Sequence, residues 1–331
     1  MKSEFNKPLV THMYTADPSV HVFEGKIYIY PSHDLENDGL DDGKGDHFKM
    51  EDYHAFSMDD VGAPVVDHGQ FLHVKDVPWA TRRMWDADAA YKNGKYYFYF
   101  PAQDKDGIFR LGVATNDKPH GTFTPEPNYI PNSFSIDPAV YTEGDTSYIF
   151  FGGLWGGQLE QWKTGKHVPF NGDTPGADGP QGDEPAMGPR YAVLSDDMLS
   201  FKTEPKEVLI LDENGTPLKA SDTERRFFEA SCVYKYTNGK YYLIYSTGDT
   251  HYICYAESDS VTGPYTYKGR VLEPVSGWTN HAYITEFKGK WYLFYHDCEL
   301  SKGVTHLRNL KYTELEIATD GTITTVKPYG N

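Results

Sequence analysis

Residues Phe227–Ser246 read FFEASCVYKYTNGKYYLIYS. The stretch is an apolar run, a tight turn and a second, aromatic run. Asn238-Gly239 between two β-rich runs is the strongest short-range hairpin signal. Glu229 stands at the head of the first run, between Phe228 and Ala230. An unpaired charge is costly in a buried strand. Glu229 is therefore either solvated at a strand end or kept for chemistry.

The same pattern occurs at four other places. Asp17 leads into a turn at Gly25, Asp88 into Gly94, Asp137 into Gly144 and His281 into Gly289, each followed by an aromatic-rich strand. In all five the ionisable residue lies 6 to 10 positions before the turn glycine, and the glycines are spaced by 69, 50, 95 and 50 residues. A recurring unit of this size marks a solenoid, propeller or array, and four strands per unit fits a propeller blade. The expected fold is all-β, a five-bladed β-propeller, with residues 1–331 as one domain. The strand that opens each blade would line the axis. Asp17, Asp88, Asp137, Glu229 and His281 would then converge at one end of the channel. Solvated strand caps are the plainer alternative, which five equivalent placements disfavour.

Composition narrows the class. Aromatic residues make up 15% of the chain, 26 of them Tyr, with 31 Gly and 21 Pro to supply turns. The net charge of −17 argues against nucleic acid, whose binding rests on Lys and Arg neutralising phosphates. No run approaches 18 apolar residues, so no membrane span is expected. The start, MKSEFNKPLVTHMYTADPS, lacks the apolar segment of a signal peptide. Cys232, Cys254 and Cys298 are odd in number and scattered, which suggests reduced thiols. Both features point to the cytoplasm, although a secreted chain stripped of its leader would read the same way.

Two connections stand out. Residues 31–52 are crowded with Asp and Gly, and the best EF-hand register starts at Asp34. It fails at Gly45, where the bidentate Glu belongs. The segment is read as a solvated connection, with a rim role as the lesser alternative. Lys163–Arg190 is rich in Gly, Pro and Asp and has no periodicity, and long loops in compact domains are usually functional or disordered. Trp155 and Trp162 lead into it, which suggests partial order at the rim of the site.

Three carboxylates around a narrow axis suit acid–base chemistry. Glycoside hydrolysis needs one carboxyl on each side of the scissile bond, and an inverting enzyme holds them about 6.5–9.5 Å apart to admit a water. The acid must keep its proton near neutrality, which apolar burial and a nearby carboxylate both favour. Glu229, beside Phe227, Phe228 and Ala230, suits the acid. Asp17 suits the base, and Asp137 could tune or orient the pair. Trp85, Trp155 and Phe228 could pack on sugar faces or simply pack the blades. Asp88 could accept a sugar hydroxyl. Arg308 could pair with one of the acids or meet a sugar hydroxyl. His281 could hold a largely hydrated ion.

These motifs resemble glycoside hydrolase family 43, whose members are five-bladed propellers. The resemblance runs over essentially the whole chain and rests on Thr15-Ala-Asp17-Pro-Ser, Ser135-Ile-Asp137-Pro-Ala and Phe228-Glu229-Ala-Ser. The family is inverting. The resemblance implies Asp17 as general base, Asp137 as modulator of the acid and Glu229 as general acid. It matches His281 to an axial His that contacts a central calcium or sodium ion whose shell water completes. It matches Arg308 to an Arg near the terminal sugar. Trp85-Asp86-Ala87-Asp88 departs from the family's Trp-Ala-Pro-Asp, so Asp88 is carried over only as a site-wall residue. Many family β-xylosidases carry an appended β-sandwich, which this sequence lacks. The reading therefore favours an α-L-arabinofuranosidase acting on arabinoxylan or its oligosaccharides. A β-xylosidase, or a bifunctional enzyme, is the alternative. A carbohydrate-binding propeller without catalysis is the reading from another class.

Overall fold

A computed structural model of the chain describes residues 7–40, 44–171, 174 and 176–330. Five separate sheets, antiparallel but for one short edge pair, follow one another along the chain and form a five-bladed β-propeller. The first blade contains Tyr14–Phe23, Lys26–Asp34, Asp52–Met58 and Val66–His73, in that spatial order. The second contains Asp88–Lys92, Lys95–Gln103, Phe109–Asn116 and Thr124–Pro125. The third runs Ala139–Glu143, Thr146–Phe151, Arg190–Val193 and Lys206–Glu207. The fourth holds the Glu229 hairpin, Glu229–Lys235 and Tyr241–Ser246, then Ile253–Ser258 and Tyr265–Leu272. Its outer edge gains Ile210–Leu211, which pairs in parallel with Tyr265 and Thr266. The fifth contains Ala282–Phe287, Lys290–Asp297 and Asn309–Glu314.

The hairpin turns follow from their residues. Asn93-Gly94 both have positive φ, 54° and 81°, which is the primed geometry that matches strand twist. The Glu229 hairpin closes over one residue more. Tyr236 N–H donates to the Lys240 carbonyl at 2.9 Å, and Gly239 alone is left-handed (φ 85°). This is a three-residue loop, and the glycine absorbs the reversal there.

Blades pack through aromatic side chains between sheets. Tyr53 and Phe98 meet edge to face at 4.8 Å, as do Phe71 and Phe98 at 4.8 Å, joining the first blade to the second. Burying each such ring contributes about 1.5–3 kcal/mol. The ring of blades closes where the start of the chain meets its end: Leu9 N–H donates to Leu310 O at 2.7 Å and Thr15 N–H to Arg308 O at 2.9 Å. The three cysteines are buried and free. Among the described residues there is no α-helix, only short 3-10 turns, and no helix long and apolar enough to cross a membrane.

Candidate active site

Backbone irregularities at the blade heads aim the acids at the axis. In the first strand, pairing shifts register between Ala16 and Ser19, and Asp17 sits in the bulge with φ 47°. A second shift lies between Glu229 and Cys232, with Ala230 at φ 61°. Asp137, two residues before its strand, has φ 57°. Positive φ is rare for such residues, costs about 1–3 kcal/mol each and clusters at functional sites. A bulge also re-aims the side chain it carries.

The aimed residues line one pocket of about 290 Å³, which includes Asp17, Asp86, Asp137, Glu229, His281 and Arg308. Aromatic walls come from Phe48, Trp85, Trp155, Phe228 and Trp278. Trp155 meets Phe228 edge to face at 5.0 Å and lies 5.8 Å from Trp278. Trp85 is pinned, its Nε1 donating to Phe48 O at 3.0 Å while its carbonyl accepts from Tyr53 Oη at 2.6 Å. Gly153 lies against Ile136 and Glu229, and a Cβ there would come within 2.6 Å of the Ile136 side chain. Only glycine permits that approach.

Electrostatics divide the carboxyls. Arg308 is 2% exposed. It donates to Asp17 Oδ1 at 2.8 Å and grips Asp34 through Nε at 2.8 Å and Nη2 at 2.6 Å. Burial pushes the Asp17 carboxyl up. The Arg308 guanidinium, with His296 and His281, outweighs burial and holds Asp17 below the usual carboxylate range. For Glu229, burial and the Asp17 charge push the pKa to about 8, with Arg308 opposing. Asp137 is driven well up by burial and then by Glu229, against the pull of the Ala230 amide, which donates to its Oδ2 at 2.9 Å. Asp86 is driven well up by burial, then by Asp137, Asp17 and Asp88. His281 is pushed down to about 4 by burial, although Asp17 opposes. Near neutrality the pocket thus holds an ionised Asp17 together with a protonated Glu229.

His296 was not legible in the sequence. It is fully buried, accepts the Asp17 N–H at Nδ1 (3.1 Å), and its Nε2 lies 3.0 Å from Thr279 O. Burial, then Arg308, push it down to about 4, so it stays neutral.

The structure corrects Asp88. Asp88 is the first residue of a regular strand, is 1% exposed and is absent from the pocket lining. Its carboxylate accepts from Ser19 Oγ at 2.6 Å, His21 Nε2 at 2.6 Å and the Val140 amide at 2.7 Å, tying three blades together. Asp86 takes the axial place, with Oδ2 3.6 Å from His281 Nε2. A stricter count shows why. Asp17, Asp86 and His281 each precede their turn glycine by 8 residues, whereas Asp88 precedes it by 6. We expect Asp88→Asn to lower stability by about 1–3 kcal/mol in urea unfolding while leaving kcat little changed, because it strands buried donors without touching the pocket.

The connection after the first hairpin is also corrected. Positions 41–43 lie outside the described residues, but Gly45, His47, Phe48 and Met50 line the pocket instead of lying in solvent. The Arg308 guanidinium sits over the Phe48 ring at 5.1 Å, and that cation–π contact holds the segment inward. In the third-blade loop, Trp155 reaches the site. Trp162 stacks on Phe134 at 4.7 Å outside the pocket.

Asp86, Asp137 and His281 offer ligand atoms all within 4.8 Å of one another, and all three are buried. Two carboxylates and a neutral imidazole are a donor set a cation can use. The His281 expectation therefore gains two partners that the sequence reading did not assign to an ion.

The family model for glycosyl hydrolases family 43 matches residues 5–323. The chain belongs to that family. Its family 43 relatives include a xylosidase/arabinosidase from Bacteroides ovatus, 55% identical over 329 residues and covering 99% of each chain. A β-xylosidase from Xylanibacter ruminicola is 48% identical over 319 residues, covering 95% of this chain and 97% of its own. A family 43 β-xylosidase/α-arabinofuranosidase from a compost microbial metagenome, solved with xylotriose in a calcium-free form, superposes with a TM-score of 0.96 at 56% identity, over 100% of this chain and 99% of its own. The protein is a glycoside hydrolase. The preference for a pure arabinofuranosidase is not upheld: these relatives combine xylosidase with arabinosidase or are xylosidases. They are matched over nearly their whole length, so a chain of this length does not single out an arabinofuranosidase.

Proposed function

We propose that the protein is an inverting β-xylosidase that also releases α-L-arabinofuranosyl groups, acting on the ends of xylo-oligosaccharides. What carries this reading is the pairing, in one pocket, of Asp17 held ionised by Arg308 with Glu229 kept protonated by burial. Protonated Glu229 donates to the glycosidic oxygen as the bond to the anomeric carbon breaks. Ionised Asp17 takes a proton from a water attacking the opposite face, and each residue ends in the other's starting state. Asp137 holds the Ala230 amide and so orients Glu229. Arg308 keeps Asp17 charged and presents its guanidinium to the pocket. Trp85, Trp155 and Phe228 supply apolar faces for the sugar. At about 290 Å³ the pocket is at the small end for ligand sites, which suits a terminal residue. The xylose preference is supported by the relatives named above.

Asp86, Asp137 and His281 would hold a calcium ion, with water supplying the remaining oxygens that calcium requires. Bound there, the ion would supply positive charge that draws Asp86 and Asp137 to their ionised forms.

The test is hydrolysis of xylobiose followed by proton NMR, together with kcat/KM on 4-nitrophenyl β-D-xyloside and α-L-arabinofuranoside. We expect α-xylose to appear first, both nitrophenyl glycosides to be cleaved with the xyloside preferred, and Asp17→Asn to lose about 10²–10⁴ in kcat. First-formed β-xylose would overturn inversion. Cleavage of the arabinoside alone would restore the arabinofuranosidase.

A further inference from the structure

The first blade carries a second cluster of metal-ligating side chains, on its second and third strands. Pairing of Ser32 with Tyr53 places His33 directly opposite Asp52 on the neighbouring antiparallel strand. Residues opposite one another in an antiparallel pair share a face, and so do residues two apart in one strand. His33, Asp52 and His54 therefore project from one face. Asp34, next along the strand, projects from the other face and holds Arg308.

The side chains confirm the register. His33 Nδ1 lies 2.5 Å from Asp52 Oδ1, and the His33 and His54 rings stand 5.3 Å apart. One ligand atom from each of His33, Asp52 and His54 lies within 4.8 Å of the others. A carboxylate stands behind them. Asp67 Oδ1 lies 3.4 Å from His54 Nδ1, and its Oδ2 lies 2.9 Å from His12 Nε2. The Gly69 amide donates to Asp67 Oδ1 at 2.7 Å. With Nδ1 turned to Asp67, His54 presents Nε2, the arrangement in which an outer carboxylate fixes the tautomer of a ligating imidazole. His33 and His54 are partly exposed, so an ion has a way in.

We propose that His33, Asp52 and His54 form a surface site for a divalent transition-metal cation, zinc being the type, with Asp67 as the positioning residue for His54. Two imidazoles and one carboxylate are a set that selects such ions over calcium, which takes oxygen ligands. Water completes the shell, as in other three-ligand zinc sites. The ion would clamp Lys26–Asp34 to Asp52–Met58 on the side of the sheet away from the pocket. The site is independent of the reaction and of the axial trio.

The experiment is isothermal titration of the chelator-stripped full chain with zinc chloride, repeated with cobalt chloride while recording visible absorption. One equivalent of zinc is expected in the wild type, lost in His33→Gln and His54→Gln and kept in His281→Gln. Asp67→Asn leaves all three ligands in place and is expected to weaken binding about 10–100-fold, which keeps the test intact if a histidine variant folds poorly. Zinc binding unchanged in Asp67→Asn and both blade variants overturns the proposal. So does loss of the equivalent in His281→Gln, or no uptake by the wild type at micromolar zinc.

Discussion

Glu229→Gln is expected to lower kcat on xylobiose by about 10²–10⁴, the usual contribution of a positioned general acid. Gln keeps the size of the side chain and removes the proton that the leaving oxygen needs. The loss is expected to be smaller on 4-nitrophenyl β-D-xyloside, whose leaving group needs little protonation. An equal loss on both substrates would remove the acid role from Glu229. The pH profile carries the same signature. Wild-type kcat/KM is expected to fall as pH rises through about 8, where Glu229 loses its proton. The acid limb is expected below the ordinary Asp range, because Asp17 is held down by Arg308. Stability follows the opposite logic to catalysis. The folded protein holds a proton on Glu229 that the unfolded chain releases near 4.5. Between that value and about 8 this group costs up to about 1.4 kcal/mol of stability per pH unit as pH rises. Glu229→Gln removes the cost, so the inactive variant is expected to melt higher than wild type at pH 8 and equal to it at pH 4. A wild-type melting curve that keeps pace with the variant up to pH 8 would show that Glu229 ionises freely.

Arg308→Met is expected to destabilise the protein by about 3–5 kcal/mol, the cost of breaking a buried ion pair from one side. Arg308 bridges Asp34 of the first blade, which is 2% exposed, and Asp17 on the axis. Methionine would fill much of the space and leave both carboxylates unpaired. Without the guanidinium, the strongest influence lowering Asp17 is gone and its pKa rises. The acid limb of kcat/KM is then expected to move up, so activity near pH 5 falls more than activity near pH 7. Arg308→Lys keeps the charge but not the paired grip on Asp34, and is expected to recover the pH profile before it recovers stability. Chemical unfolding and pH–rate profiles of the two variants check this. An unmoved acid limb in Arg308→Met would place the control of Asp17 elsewhere.

The hairpin repeat was legible because it is local. Turn chemistry and aromatic alternation act over a few residues, so Gly25, Gly94, Gly144, Gly239 and Gly289 mark the five blades without knowledge of the rest. Asp17, Asp137, Glu229 and His281 were legible for the same reason, each standing at the head of its repeat. Asp88 failed because a tolerance of 6 to 10 positions spans two faces of the chain, and two positions separate an axial residue from one locked between blades. Trp278, His296 and Asp34 carry no repeat signal. They reach the site from a loop or from the far ends of strands, and nothing nearby in sequence marks them. Substrate preference carries no repeat signal either, because specificity resides in pocket contacts and not in the fold.

The sequence by itself determined the blade count, the all-β class, the order of the acids along the chain and the family. Each of these follows from patterns within a repeat. The tertiary structure alone decided which carboxyl carries charge. Asp17 and Arg308 are 291 positions apart and 2.8 Å apart in space, and that contact offsets the burial that would otherwise raise Asp17. Glu229 lacks such a partner and shares the pocket with the Asp17 charge, so burial and that charge keep its proton on. Proton affinity depends on distances between blades, and those distances exist only once the ring has closed.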